Sequence, residues 1–282
     1  MRSSTVYLRP ISCLACGQQY RPGAIEWQMG ELAICHTCWQ GLGWLQGPSC
    51  VHCGRAMEGD LSSARCGDCA VRRGSVLHGQ RSLLTYNPLN RQLLYRYKYW
   101  GEVQLYTFFG QLMVLGFKRY YDASVKGKSW SLWKGWSRVF AKEATRPSIQ
   151  LLTYVPLHES RLYERGFNQV ELLGRILSKQ LNLPMVTLLQ RVKATVKQSK
   201  QGRGGRIQSL DGAFAPLPLP TQLLMGIEPD QPCQLLLLDD LYTTGSTLEH
   251  CAQVLQASYP QWQIYGLTLI RAGGQSPIKL MR

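Results

Sequence analysis

The chain has 282 residues, 45% of them hydrophobic, and a formal net charge of +15. That length suits roughly two domains with a sizeable core, and the longest apolar run, Leu112–Phe117, falls far short of the ~20 residues of a membrane span. The opening stretch MRSSTVYLRPISC has no continuous apolar core of the secretory kind, so a cytoplasmic protein is expected. Its excess of cations serves either a polyanionic partner or solubility alone.

Eight of the ten cysteines form four C-x-x-C pairs: Cys13/Cys16, Cys35/Cys38, Cys50/Cys53 and Cys66/Cys69. Spacers of 18 and 12 residues separate the first pair from the second and the third from the fourth, in or near the range of zinc ribbons. Two cysteines three positions apart reach one tetrahedral ion from a single tight turn, and four thiolates close the site to chemistry. Gly17 and Gly54 directly follow a ligand pair, where a knuckle turns with positive φ. Two structural zinc sites of four cysteines each are expected, paired in sequence or as a crossed brace. Disulfides and redox-active C-x-x-C are the competing readings, and a reducing compartment and fourfold repetition favour metal. His36 and His52 stand between ligand cysteines, as spacers or as substitute ligands. A region this small has little core of its own, so the ions would supply most of its folding energy.

Further along, Arg81–Asn87 predicts a strand. A helix follows, with Leu89, Leu93, Leu94 and Tyr97 at helical spacing and Gly101 as its stop. From Glu102 a second helix carries Leu105, Phe108, Phe109, Leu112 and Met113 on one face. Between them, Tyr95–Trp100 interleaves aromatics with Arg96 and Lys98, either to stack bases and pair with phosphates or as core aromatics with solvated cations. Residues 118–146 read as an insertion, with Trp130, Trp133 and Trp136 among Lys126, Lys128 and Lys134. Such a segment suits single-stranded nucleic acid, an anionic membrane surface, or tryptophans folded back onto the domain. Lys98, Lys126, Lys128, Trp133 and Lys134 are the candidate nucleic-acid contacts.

Ile149–Val155 predicts a strand closed by Pro156. Arg161, Arg165 and Gly166 then form a cationic turn ahead of a helix with Val170, Leu173, Ile176 and Leu177 on its apolar face. Residues 193–209 are rich in Lys, Arg, Gly and Gln without apolar period, and read as a mobile loop or plain linker. The run Leu235–Leu238 suits a strand buried on both faces. It ends in Asp239 and Asp240, at the carboxyl edge where α/β sheets bind ligands. Thr243–Thr247 then supply hydroxyls, a glycine bend and the start of a helix with Leu248, Cys251, Ala252 and Leu255 on one face. A helix start favours a phosphate. Gln263–Ile270 predicts a last interior strand, and Cys233 and Cys251 read as buried small hydrophobes. Strands alternating with helices indicate a Rossmann-like three-layer domain.

The string LLLLDDLYTTGST resembles the phosphoribosyl pyrophosphate (PRPP) motif of type I phosphoribosyltransferases. The resemblance implies that Asp239 and Asp240 face the ribose hydroxyls and act electrostatically as catalytic residues. It also implies that Tyr242, Thr243, Thr244, Gly245, Ser246 and Thr247 surround the 5′-phosphate, with Arg161, Arg165 and magnesium at the pyrophosphate. PL-x3-RLYERGFNQ-x-ELL, the four cysteine pairs and this string occur in the order found in the ComF family of competence proteins. Ser209 departs from the family's usual asparagine. Membership implies a Rossmann-like type I phosphoribosyltransferase fold at residues 79–282 behind an N-terminal double zinc ribbon at 1–78. It further implies natural transformation as the setting, with incoming single-stranded DNA, a helicase-type partner and an uptake complex at the inner face of the membrane. A metabolic phosphoribosyltransferase acting on a base or another small acceptor is the alternative. No residue stands out as the acceptor's base or nucleophile.

Overall fold

The computed structural model describes residues 10–21, 33–57, 64–71, 74–122, 146–193, 210–220 and 232–273. The tryptophan-rich segment with Lys126, Lys128, Trp133 and Lys134, and the basic loop beyond Lys193, lie outside the described residues. The cysteine-rich region contributes a short hairpin, β1 (Ile11–Ser12) and β2 (Gln19–Tyr20), and two short helices, α1 (His36–Gly41) and α2 (Gly67–Val71). The rest is built around a four-stranded parallel sheet of β3 (Leu77–Thr85), β4 (Leu151–Tyr154), β7 (Gln234–Tyr242) and β8 (Gln263–Arg271), in the spatial order β3-β8-β7-β4.

Parallel strands need crossovers, and their sheet needs cover on both faces. The leucine run of β7 meets that need by alternation. Leu236 and Leu238 join Leu267 and Leu269 of β8 in a core completed by α3 (Pro88–Tyr99), α4 (Val103–Tyr120) and α6 (Gln169–Leu181). Leu235 and Leu237 face the other way, towards Ile264 and the Leu248, Cys251, Ala252 and Leu255 stripe of α7 (Ser246–Ser258). This is the three-layer α/β arrangement expected. Two small strands, β5 (Leu189–Arg191) and β6 (Phe214–Pro216), pair antiparallel beside α7. A further short helix, α5 (Glu159–Arg165), precedes α6. Among the described residues, no helix is long and apolar enough to cross a membrane.

Local signals explain the helix limits. Asn87 caps α3 by accepting from Asn90 N–H, with Pro88 in the first turn. Glu102 precedes α4, which runs to Tyr120 with Lys118 and Arg119 in its last turn, where the helix dipole favours cations. The start of the expected insertion is therefore the end of this helix. β3 starts at Leu77, four residues ahead of the expected strand and across the expected boundary at 78/79. His78, Gly79 and Gln80 carry no apolar alternation, and their place in the strand comes from pairing with β8.

β3 forms one edge of the sheet, and an uncovered edge presents unpaired backbone groups. The cysteine-rich region covers it. Leu45 N–H donates to Leu83 O (2.8 Å), Thr85 N–H to Gly43 O (2.8 Å) and Gln80 N–H to His52 O (2.7 Å). At Gly54 (φ +67°) the approach is close enough that a Cβ would stand 2.7 Å from Gln80 O. Gly54→Ala should therefore cost more than about 1 kcal/mol of stability in urea unfolding of the zinc-loaded protein. Gly17→Ala, also at positive φ but with nothing within 4 Å of its Cβ, should cost less.

Candidate functional site

The eight paired cysteines gather into two clusters, Cys13/Cys16/Cys35/Cys38 and Cys50/Cys53/Cys66/Cys69, with all four sulfurs of each within 4.8 Å of one another. Pairing in sequence is thus the arrangement, and the crossed brace is excluded. Cys16 and Cys35 Sγ are 3.9 Å apart and Cys53 and Cys66 Sγ 3.7 Å. A zinc tetrahedron with ~2.3 Å arms has edges of about 3.8 Å, so the sulfurs fit that ion and are too far apart for disulfides. Each first knuckle closes alike: Gly17 N–H donates to Cys13 O (2.8 Å) and Gly54 N–H to Cys50 O (2.9 Å). Among the described residues the metal-holding groups are cysteines alone. His36 lies exposed in α1, and His52 Nε2 meets Ser75 Oγ at 3.1 Å. Four thiolates per ion make both sites structural zinc. Cys233 and Cys251 are buried, as expected of small hydrophobes.

At the end of β7, alternation sends the two carboxylates to opposite sides. Asp240 turns towards the α3–α6 side. Its Oδ2 lies 2.7 Å from Lys98 Nζ and accepts from Gln169 Nε2 at 2.9 Å. The pair is well screened from water, the side chains being 5% and 18% exposed. Gln169 is held in turn: its carbonyl accepts from Tyr97 Oη (2.7 Å) and its Oε1 from Arg165 Nη1 (2.9 Å). Asp239 turns towards α7 and β5, and its Oδ1 accepts from Asp240 N–H at 2.8 Å. Burial, then the charge of Asp240, push its pKa up to about 7 against the pull of Lys98 and Arg191.

The loop beyond the acids makes a left-handed bend at Gly245 (φ +81°) and starts α7. The N-cap Gly245 brings no side-chain cap, and Thr244 Oγ1 accepts from Ser246 N–H only at 3.4 Å; a helix start so lightly capped has amides to offer an anion. Thr244 Oγ1 and Ser246 Oγ are 2.9 Å apart; Thr243 is exposed and Thr247 partly so. Tyr242 is buried beneath the Arg271 guanidinium, 4.4 Å from the ring centre, and packs against Gly245, where any Cβ would clash with its hydroxyl.

Arg161 and Arg165 lie within helix α5 rather than in a turn. His158 caps it by accepting from Ser160 N–H, and Gly166 stops it in the left-handed conformation. Seven residues are too few for periodicity to announce a helix. Arg161 pairs with Glu164 (2.6 Å), whereas Arg165 reaches the Asp240 network through Gln169 and lies 5.2 Å from the Tyr99 ring centre. Lys98, a candidate nucleic-acid contact by sequence, is committed to Asp240. Its aromatic neighbours divide: Tyr97 is core, while Tyr95, Tyr99 and Trp100 are exposed. Gln169, Arg191 and Arg271 complete the surroundings; Gln169 closes the RLYERGFNQ string, whereas Arg191 and Arg271 carried no signal in the sequence.

Asp239 should make stability fall with pH. Its carboxyl stays protonated in the folded protein up to about 7, whereas in the unfolded chain it ionises near its ordinary value. The stabilising contribution is therefore full below about pH 4 and is lost as pH rises towards 7. Asp239→Asn should flatten that part of the profile in urea titrations between pH 4 and 8. Metal analysis should find two zinc ions per folded chain, and Cys50→Ser should leave one.

Comparison with known proteins extends these observations. Residues 5–70 match the family model of the double zinc ribbon domain. The chain is 26% identical over 277 residues to the competence protein ComFC of Bacillus subtilis, covering 94% of this chain and 97% of that protein. It is 27% identical over 226 residues to competence protein F of Haemophilus influenzae, covering 78% and 84%. A shorter stretch of 110 residues is 36% identical to the DNA utilization protein YhgH of Salmonella typhi, covering 39% and 44%. With its cysteine clusters and parallel sheet, the chain is similar along most of its length to competence proteins of the ComF type.

Proposed function

We propose that this protein serves DNA uptake in natural competence, handling incoming single-stranded DNA through a domain that binds PRPP with magnesium. The observation that carries the ligand reading is the carboxyl edge of β7, where a carboxylate pair is followed by a tight bend and a helix whose N-cap, Gly245, brings no side-chain cap. The names of its relatives, competence protein and DNA utilization protein, support the setting.

In this reading Thr243–Thr247 and the first amides of α7 hold the 5′-phosphate, which fixes the ribose for reaction at carbon 1. Asp239 is the acid free to meet the ribose hydroxyls and to oppose positive charge on the ring as pyrophosphate departs. Asp240, saturated by Lys98 and Gln169, acts by placing the Lys98 ammonium beside the site. Lys98 and Arg191 act on Asp239 through their charge and so stand beside the site, the charge of Lys98 being matched by Asp240 and that of Arg161 by Glu164. Magnesium brought in with the ligand would supply further neutralisation of the leaving group. DNA contacts draw on the chain's large positive charge.

Titration calorimetry should detect Mg–PRPP binding to the full chain. Asp239→Asn should weaken it about tenfold or more, in line with a charge-assisted hydrogen bond of about 1.5–3 kcal/mol. Equal heats for wild type and the Asp239→Asn/Asp240→Asn double variant would remove the site. Affinity for single-stranded DNA should fall with salt, with a log–log slope of about −0.7 per phosphate contacted; a flat response would exclude the electrostatic basis.

A further inference from the structure

Two struts connect the second cysteine cluster to the loop that starts α7. The first is Arg271, the last residue of β8, only 5% exposed and directly beside Tyr242 in the parallel register. Its Nη1 donates to Cys53 O at 2.6 Å and its Nη2 lies 3.5 Å from Cys53 Sγ. The same guanidinium covers the Tyr242 ring, whose hydroxyl packs against the Gly245 bend. The second strut is Glu249, in the first turn of α7. It accepts from Val76 N–H (2.8 Å) and from the Ser75 hydroxyl (2.7 Å), and Ser75 Oγ meets His52, between Cys50 and Cys53. The bend and the first turn of the helix are thus both held from one metal knuckle.

A buried guanidinium is costly unless its charge is matched. Among the described residues no carboxylate pairs with Arg271, so Cys53 and the Tyr242 ring are what hold it. A zinc ion with four thiolates carries two excess negative charges, and that cluster is the natural counter-charge. Cys53 kept on the metal fixes the fork of Arg271, and Arg271 fixes Tyr242 against Gly245. Among the described residues the first cluster has no such link to loop 243–247: Arg96 of α3 donates to Ala15 O at 3.3 Å, and Cys13 packs into the opposite core, on the α3–α4 side of the sheet.

We propose that Arg271 is a positioning residue that couples the second four-cysteine site to loop 243–247, so that the loop accepts a phosphate only while Cys50, Cys53, Cys66 and Cys69 are held on metal. This rests on the reading of that loop as the phosphate site. The coupling is reciprocal by linkage: a sugar phosphate in the loop must tighten metal retention at the second site by the factor with which metal tightens the loop. Loss of metal then switches off ligand binding from a distance.

The test is the rate at which a maleimide labels each cysteine of the full, zinc-loaded chain in the presence of a zinc-selective chelator that leaves magnesium in solution, resolved by peptide mass spectrometry. Mg–PRPP should slow labelling of Cys50, Cys53, Cys66 and Cys69 about fivefold or more and leave Cys13, Cys16, Cys35 and Cys38 unchanged. Arg271→Lys, which keeps the charge but not the fork, should lose most of that protection while still binding two zinc ions. Glu249→Gln, a milder change in the second strut, should lose part of it and keeps the test decisive if the arginine variant folds poorly. Calorimetry on the same wild-type sample separates the two readings. Heat without protection overturns the coupling and leaves the ligand reading standing, and no heat overturns both. Equal protection of the two clusters, or protection undiminished in Arg271→Lys, also overturns it.

Discussion

β7 has no side that faces water. Leu235 and Leu237 belong to one core and Leu236 and Leu238 to the other, so both helical layers are obligatory and the strand's polar residues can emerge only at its ends. Everything chemically interesting in the parallel-sheet domain follows from that exit. The two aspartates, the hydroxyl-rich bend and the open helix start crowd one edge because an apolar strand of this length must stop there.

The acids are adjacent in sequence but unequal in environment. Asp240 is neutralised by Lys98 and oriented by Gln169; Asp239 is pushed towards neutrality by burial and by Asp240 itself. Two carboxylates so close cannot both carry charge cheaply, and the fold separates their roles by giving one a cation. The electrostatic cost is left on Asp239 and weakens the fold as that carboxyl ionises.

The metal ribbon serves the sheet as well as itself. It closes the β3 edge through backbone hydrogen bonds, and its two clusters join opposite cores, Cys13 with the α3–α4 side and the second cluster with the α7 side. Zinc therefore braces both faces of the larger domain. Cys53 adds a direct contact to Arg271 at the sheet's carboxyl edge, within one side chain of the Gly245 bend.

The sequence by itself determined what depends on neighbours along the chain. The cysteine pairs read as two zinc sites because a two-residue spacer is a local constraint. The Leu235–Thr247 string read as strand, acids and helix start because burial, charge and bend follow one another without a gap. The helices before and after Gly101 were legible from their period. Tertiary structure alone decided which cysteine pairs share an ion, that Arg161 and Arg165 sit in a short helix, and that Lys98 faces Asp240 across the interior. It also brought Gln169, Arg191 and Arg271 to the edge of β7 from distant positions. Gln169 belongs to a legible string but its contact with Asp240 does not show there, and Arg191 and Arg271 carry no local pattern, because a partner reached through space is fixed by packing and charge in the assembled core.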